Sequence, residues 1–273
     1  MKISLIQMNS RHDKAANIAA AGELIEQAVA QERPDWVGLP ECFDFLGGQR
    51  ADKQEAAEIL GEGPAYTAMQ ALARHHGIFI HAGSILEKIP DDNRIYNTTL
   101  VFDRNGHEIA RYRKIHMFDI TAPDGTQYRE SLSFKPGDQV VVYQAEGFTI
   151  GCAICYDLRF PDLFQALVEK GADIIALPSA FTLLTGKDHW EVLCRARAIE
   201  TETYFCAPAQ TGMHKVGDAT RATYGHSLIA DPWGHVIARA SDGVGIVSTR
   251  IERGLIDKVR AQIPVAQHKV KLR

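Results

Sequence analysis

The stretch from Phe148 to Ala180 constrains the fold more than any other part of the chain. "FTIGCAIC" is a buried β-type run ending at Cys155, and Pro161 then opens a helix that reaches Lys170, with Gly171 as its cap. "ADIIALPSA" follows as the returning strand. A strand-turn-helix-strand unit of this kind needs helices layered on a sheet, which is an α/β architecture.

The remaining pattern agrees. "ISLIQM" reads as a first strand, and Asp13 is an N-cap for a helix whose sheet-facing stripe is Ile18, Gly22, Ile25 and Val29. "DWVGLP" is a short strand ending at Pro40, directly before Glu41. Pro64 and Gly77 bracket a helix, "IFIHAGSIL" is a strand, and "NTTLVFDRNGHEIARYRK" is a hairpin with Lys114 at the end of its second arm. Asp188 and Glu191 form a capping box for the helix "DHWEVLCRARAIETE", in which Glu191 and Arg195 have the favourable i, i+4 order. A second hairpin, "YGHSLIADPWGHVIARAS", a strand and a helix before Pro264 complete the chain.

The two hairpins align. Leu100–Tyr112 and Leu228–Ala240 share seven identities in thirteen positions, including Asp103/Asp231, Gly106/Gly234 and His107/His235. Hairpin chemistry alone repeats Asp-x-x-Gly. The other reading is two equivalent sheets in a pseudo-symmetric sandwich with helices on both outer faces.

With 273 residues, 45% of them hydrophobic, the chain can bury one full core, and a single domain over residues 1–273 is expected. Its formal charge of −4 and its dispersed Lys and Arg leave no basic footprint, which excludes nucleic acid as an expected partner. No uncharged apolar run reaches the roughly 18 residues of a membrane span, and the apolar part of "MKISLIQMNSRHD" is too short for a signal peptide. A cytoplasmic protein without membrane partners is expected. The odd count of five cysteines (Cys42, Cys152, Cys155, Cys194, Cys206) argues for reduced thiols.

Cys152 and Cys155 raise the question of a metal knuckle or a redox pair. Structural zinc needs four ligands, and the close second pair is missing. A redox pair belongs in the first turn of a helix, whereas the residues between these cysteines are strand-like. Period-two alternation puts Cys152 on the same face as Ile150 and Ile154, in the core, and leaves Cys155 just past the strand, where open α/β sheets present catalytic groups. A nucleophilic thiol needs a base or a nearby cation, and no histidine is near it in sequence. Glu41 and Lys114 stand at other strand ends: a carboxylate can take the thiol proton, and an ammonium lowers its pKa and stabilises an oxyanion. Taken singly, they would be a turn glutamate and an edge lysine.

"PECFDF", "YRKIHMFD" and "GCAICYDLRFPDL" resemble, in order and spacing, the three active-site signatures of the nitrilase superfamily of carbon-nitrogen hydrolases. "TGKDHWEVLCRARAIE" and "YGHSLIADPWGHVIA" are similar to its Nit branch, so the resemblance covers nearly the whole chain. It implies a four-layer α-β-β-α sandwich with two pseudo-symmetric sheets, assembled as a homodimer or higher homo-oligomer. It further implies a linear-amide hydrolase without metal or organic cofactor, with Glu41 as base, Cys155 as nucleophile, and Lys114 and the Tyr156 backbone N–H at the oxyanion. Glu130 matches the branch's second glutamate and would position Lys114 or the substrate.

Phe181 and Thr182 are expected to line the pocket. Arg159 either steadies the nucleophile turn or binds a substrate carboxylate, and Arg195 and Arg197 belong to helix salt bridges with Glu191 and Glu200. Within the branch, "ECFDF", "PSAF" and "RARAIET" imply hydrolysis of deaminated glutathione to 2-oxoglutarate and cysteinylglycine, a metabolite-repair reaction. The alternative is ω-amidase action on 2-oxoglutaramate. A thiol-redox protein, a non-catalytic scaffold and a true nitrilase are the competing readings. Whether the loop from Phe45 to Glu58 closes over substrate is left open.

Overall fold

The computed structural model describes residues 1–122 and 124–270. The chain begins with β1 (Lys2–Gln7), α1 (Lys14–Glu32), β2 (Trp36–Gly38), α2 (Arg50–Ala56), α3 (Pro64–His76), β3 (Phe79–His81) and β4 (Ile85–Lys88). It continues through β5 (Ile95–Phe102), β6 (Glu108–Arg113), β7 (Asp119–Thr121), β8 (Gln127–Arg129), β9 (Val142–Ala145), β10 (Phe148–Cys152) and α4 (Pro161–Glu169). The second half holds β11 (Ile174–Ala176), α5 (Leu183–Thr201), β12 (Tyr204–Ala207), β13 (Thr211–Val216), β14 (Ala219–Tyr224), β15 (Leu228–Ala230), β16 (Val236–Arg239), β17 (Gly245–Arg250), α6 (Arg253–Gln262) and α7 (Val265–His268).

Two sheets repeat one plan. In the first, β17 pairs antiparallel with β1, β1 to β3 run parallel, and β5 and β6 follow antiparallel, with β4 also on β5. In the second, β9 pairs antiparallel with β10, β10 to β12 run parallel, and β15 and β16 follow antiparallel. The aligned hairpins therefore occupy equivalent places, and each carries its register shift at the equivalent step, Val101/Phe102 and Ile229/Ala230. Asp103 and Asp231 each accept from the backbone N–H groups two and four residues on, which closes both turns the same way.

Strand alternation sorts the core. Ile3, Leu5 and Trp36 point from the first sheet into the cluster that contains Ile150, Cys152 and Phe205 of the second. Ile6 and Val37 point the other way, onto Ala21, Ile25 and Ala28 of α1 and Met69 of α3. On the far side, Gly151 of β10 lies against Leu167 of α4. The result is the expected α-β-β-α layering. Trp36 Nε1 donates to Tyr143 Oη at 2.8 Å and so bonds the two sheets through their interior.

Three local expectations are corrected. The buried face of α1 is Asn17, Ala21, Leu24, Ile25 and Ala28, turned by about one residue from the apolar stripe, because small alanines permit close approach and Asn17 satisfies itself by donating to Arg11 and Asp44 carbonyls. "IFIHAGSIL" is two strands, since Gly83 turns with φ 42° so close to Pro40 that a Cβ would lie 2.0 Å from its carbonyl oxygen. The helix expected at Asp188 begins at Leu183 with Thr182 as N-cap, so the proposed capping box lies inside it. Gly186 there packs so tightly on Tyr224 that an added Cβ would lie 2.3 Å from it.

The helix ion pairs also divide. Arg197 pairs with Glu200 at 2.8 Å, but Arg195 donates to the Gly234 carbonyl at 2.7 Å and Glu191 pairs with Arg239. Arg74 of α3 likewise donates to the Asn105 carbonyl, so each sheet's hairpin turn is held by an arginine from its covering helix.

Candidate active site

A cavity of about 320 Å³ is lined by Glu41, Lys114, Glu130, Cys155, Tyr156, Phe181 and Thr182, seven of the eight residues singled out from sequence. Glu41 follows β2, Cys155 follows β10 and Phe181 follows β11, so the cavity collects residues at the carboxyl ends of parallel strands. Lys114 enters from the end of β6, and its backbone N–H donates to the Asn97 carbonyl at 2.9 Å.

Glu41 is buried and held at both oxygens. Oε1 accepts from Lys114 Nζ at 3.0 Å and from Asn97 Nδ2 at 2.8 Å, while Oε2 accepts from the Ala180 N–H at 2.9 Å. Its turn is fixed too: the Cys42 N–H donates to Ser84 Oγ, and Gln210 donates to the Glu41 carbonyl. Lys114 Nζ also donates to both oxygens of Glu130 at 2.9 Å, and Glu130 accepts from the Phe118 N–H at 2.6 Å. Glu130 is therefore no solvated loop carboxylate. Burial pulls the Lys114 ammonium toward deprotonation, but Glu130 and Glu41 outweigh it and hold it well above the ordinary lysine range. Burial raises Glu130, with Lys114 opposing.

Cys155 heads a 3₁₀ turn, Cys155–Arg159, and adopts φ 47°, a left-handed conformation that costs a non-glycine residue on the order of 1 kcal/mol. The surroundings enforce it. The Cys155 N–H donates to the Pro178 carbonyl at 2.9 Å, and the fully buried Asp157 accepts from the Ile154 N–H at 2.8 Å. Asp157 also accepts from Tyr112 Oη at 2.7 Å, from the His116 N–H at 3.1 Å and pairs with His116 Nδ1 at 2.7 Å. One carboxylate thus ties the turn before Cys155 to the segment after Lys114. Burial pushes the Cys155 thiol well up, Glu41 pushes the same way and Lys114 opposes. A thiol kept protonated needs a base in contact before it can attack.

Cys152 is fully buried in the core, as its strand parity required, and all five cysteines carry free thiols. Arg159 lies behind the cavity wall, its guanidinium over the ring of the lining residue Phe181 at 5.4 Å and reaching His189. The loop from Phe45 to Glu58 contains α2, and its Gln49, Arg50 and Lys53 line the cavity. His214 also lines it, but its Nδ1 faces the Ser10 carbonyl and its Nε2 faces Thr223 Oγ1, which leaves no free ring nitrogen for catalysis.

Sequence reasoning missed Asn97, Asp157 and the β13/β14 hairpin that closes one side. The hairpin had a signal, a Gly217-Asp218 turn between β-type runs. Asn97 and Asp157 had none, because their value lies wholly in contacts distant along the chain.

A model of the carbon-nitrogen hydrolase family matches residues 2–261. A deaminated glutathione amidase of Synechocystis is 41% identical over 268 residues, covering 97% of this chain and 96% of its own. The human deaminated glutathione amidase is 39% identical, over 98% of this chain and 81% of its own. The crystal structure of Saccharomyces cerevisiae Nit3, a member of branch 10 of the nitrilase superfamily, superposes with a TM-score of 0.86 at 30% identity, covering 97% of this chain and 94% of that one. With the paired sheets and the cavity at their strand ends, these matches lead to one assignment: the chain belongs to the carbon-nitrogen hydrolase family.

Proposed function

We propose that this chain hydrolyses the amide of deaminated glutathione, releasing 2-oxoglutarate and cysteinylglycine through a thioester on Cys155. The observation that carries the chemistry is the Glu41 carboxylate, hydrogen-bonded to the Lys114 ammonium on the wall of the cavity that Cys155 also lines. The substrate follows from the relatives named deaminated glutathione amidase in a bacterium and in animals, at about 40% identity over nearly the full chain.

In this reading Glu41 takes the proton from Cys155 as the sulfur adds to the amide carbonyl. Lys114 Nζ meets Glu41 Oε1 and both oxygens of Glu130, which fixes its positive charge on the cavity wall where the oxyanion develops. The directed donor is the Tyr156 N–H, for which no backbone carbonyl among the described residues is an acceptor. Protonated Glu41 then passes its proton to the leaving nitrogen as the C–N bond breaks. Water, deprotonated by Glu41, adds to the thioester, the C–S bond breaks, and the thiol regains its proton.

The test is a side-by-side kcat/KM for deaminated glutathione and 2-oxoglutaramate. Both deliver a 2-oxoglutaryl group to the sulfur and differ only in the leaving amine, so a strong preference for 2-oxoglutaramate would replace this reading with ω-amidase action.

A homo-oligomer and a cytoplasmic setting complete the proposal. Val192 and Ile199 on α5 and Trp233 on the neighbouring hairpin are exposed apolar side chains that support contact between copies, and five free thiols support a reducing compartment. No helix among the described residues is long and apolar enough to cross a membrane.

A further inference from the structure

Two cations on the cavity wall, Lys53 and Arg221, make no side-chain hydrogen bond or ion pair among the described residues. Lys53 comes from α2 and Arg221 from β14, elements that hold neither Glu41, Lys114, Glu130 nor Cys155. The other cationic wall residues are engaged: Arg50 donates to the Asn93 carbonyl, Arg129 to the Ile120 and Tyr128 carbonyls, and Lys114 to its two glutamates. Lys53 and Arg221 instead lie over aromatic rings of the same wall, the ammonium 5.6 Å from the Phe134 centroid and the guanidinium 4.3 Å from that of Tyr128. Stacking of this kind positions a cation while leaving its N–H donors free for a ligand.

Their two elements are fastened together. The Gly48 N–H, just before α2, donates to the Lys215 carbonyl of β13 at 3.0 Å, so the cations are presented by a joined pair of segments. Holding two like charges on one wall is unfavourable: burial lowers the Lys53 pKa and Arg221 adds to that, while Glu130 and Glu41 pull the other way without cancelling it. An anion between them would remove that cost. Near the sulfur the carboxylates of Glu41 and Glu130 outnumber the single Lys114 ammonium, so a substrate carboxylate is better placed toward Lys53 and Arg221.

We infer that Lys53 and Arg221 form a carboxylate subsite that holds an anionic end of the amide substrate, restricting the enzyme to amides that bear a carboxylate. This rests on the proposed function. Deaminated glutathione offers two such ends, one on the 2-oxoglutaryl group and one on the terminal glycine.

Titration calorimetry on the intact chain with 2-oxoglutarate, cysteinylglycine and neutral propionamide separates the possibilities. In Lys53→Met and Arg221→Met, which keep the apolar stems, one of the two carboxylates is expected to bind ten- to hundredfold more weakly than in the wild type, with propionamide unchanged. Arg221→Lys is expected to keep most of the affinity. A loss confined to 2-oxoglutarate places the acyl side at the subsite, and one confined to cysteinylglycine places the leaving side there.

Undetectable binding of both carboxylates to the wild type, unchanged affinity in both Met variants, or an equal loss for propionamide overturns the inference. Turnover of deaminated glutathione is measured separately. Absent turnover with Arg221-dependent carboxylate binding would reject that substrate and keep the subsite, whereas turnover with Arg221-independent binding would do the reverse.

Discussion

Glu41 accepts a hydrogen bond from Lys114 at 3.0 Å across 73 positions of sequence. With Asn97 and the Ala180 N–H as its other donors, the carboxylate is held facing the cavity, so the base of the proposed mechanism has a fixed position. Such positioning lowers the barrier without any change in the group's intrinsic chemistry.

Glu41→Gln keeps the side chain's shape and removes its ability to accept a proton. It should lower kcat by about 10²–10⁴-fold with little change in melting temperature. Steady-state kinetics beside a circular-dichroism melt decides this, and activity within tenfold of wild type would rule out Glu41 as the base. Cys155→Ala should abolish turnover and thioester formation by mass spectrometry.

Glu130→Gln removes one of the two carboxylates at Lys114 and leaves its Glu41 contact. A drop of at least tenfold in kcat is expected, since the ammonium's position depends on both partners. Unchanged kcat would reduce Glu130 to a packing role.

Asp157→Asn leaves Tyr112, His116 and the Ile154 N–H competing for a neutral amide in a fully buried place. The expected loss is about 3 kcal/mol of stability, read from the urea midpoint, together with a fall in kcat, because the same carboxylate supports the left-handed Cys155. Stability lost with kcat retained in the folded fraction would separate the two roles.

His81 gives the chain an acid-sensitive core. It is fully buried beside Trp36, with Nδ1 3.1 Å from Tyr143 Oη, and burial lowers its pKa from 6.5 to about 3. The unfolded chain therefore binds a proton on this side chain below pH about 6.5 that the folded chain refuses until about 3. Stability is fully present above 6.5 and falls as pH drops toward 3, by up to about 5 kcal/mol from this group. His81→Gln cannot titrate, so its urea midpoint should fall less steeply between pH 7 and 4.5. Parallel curves for the two proteins would assign the acid sensitivity elsewhere.

The strand and helix succession was legible because each element carries a local signal: apolar runs for β1 and β10, the Asp13 cap, Pro64 and Gly77 at the ends of α3, and Asp-x-x-Gly in both hairpins. Where a local signal competed with a distant contact, the contact won. The Asp188 capping box yielded to a helix that starts at Leu183, and the Glu191-Arg195 spacing yielded to the Gly234 carbonyl and Arg239.

Residue type and position relative to strand ends made Glu41, Lys114 and Cys155 candidates, the resemblance of their three motifs to one family joined them, and strand parity alone assigned Cys152 to the core. Sequence could not supply the partners: Asn97 on Glu41, Asp157 under the nucleophile turn, or the placing of Lys53 and Arg221 on the wall of one cavity. Side-chain spacing within an element follows from backbone geometry and is written locally. Contacts between elements depend on how two twisted sheets stack, so only the folded chain decides which charges are neutralised and which are left to face a ligand.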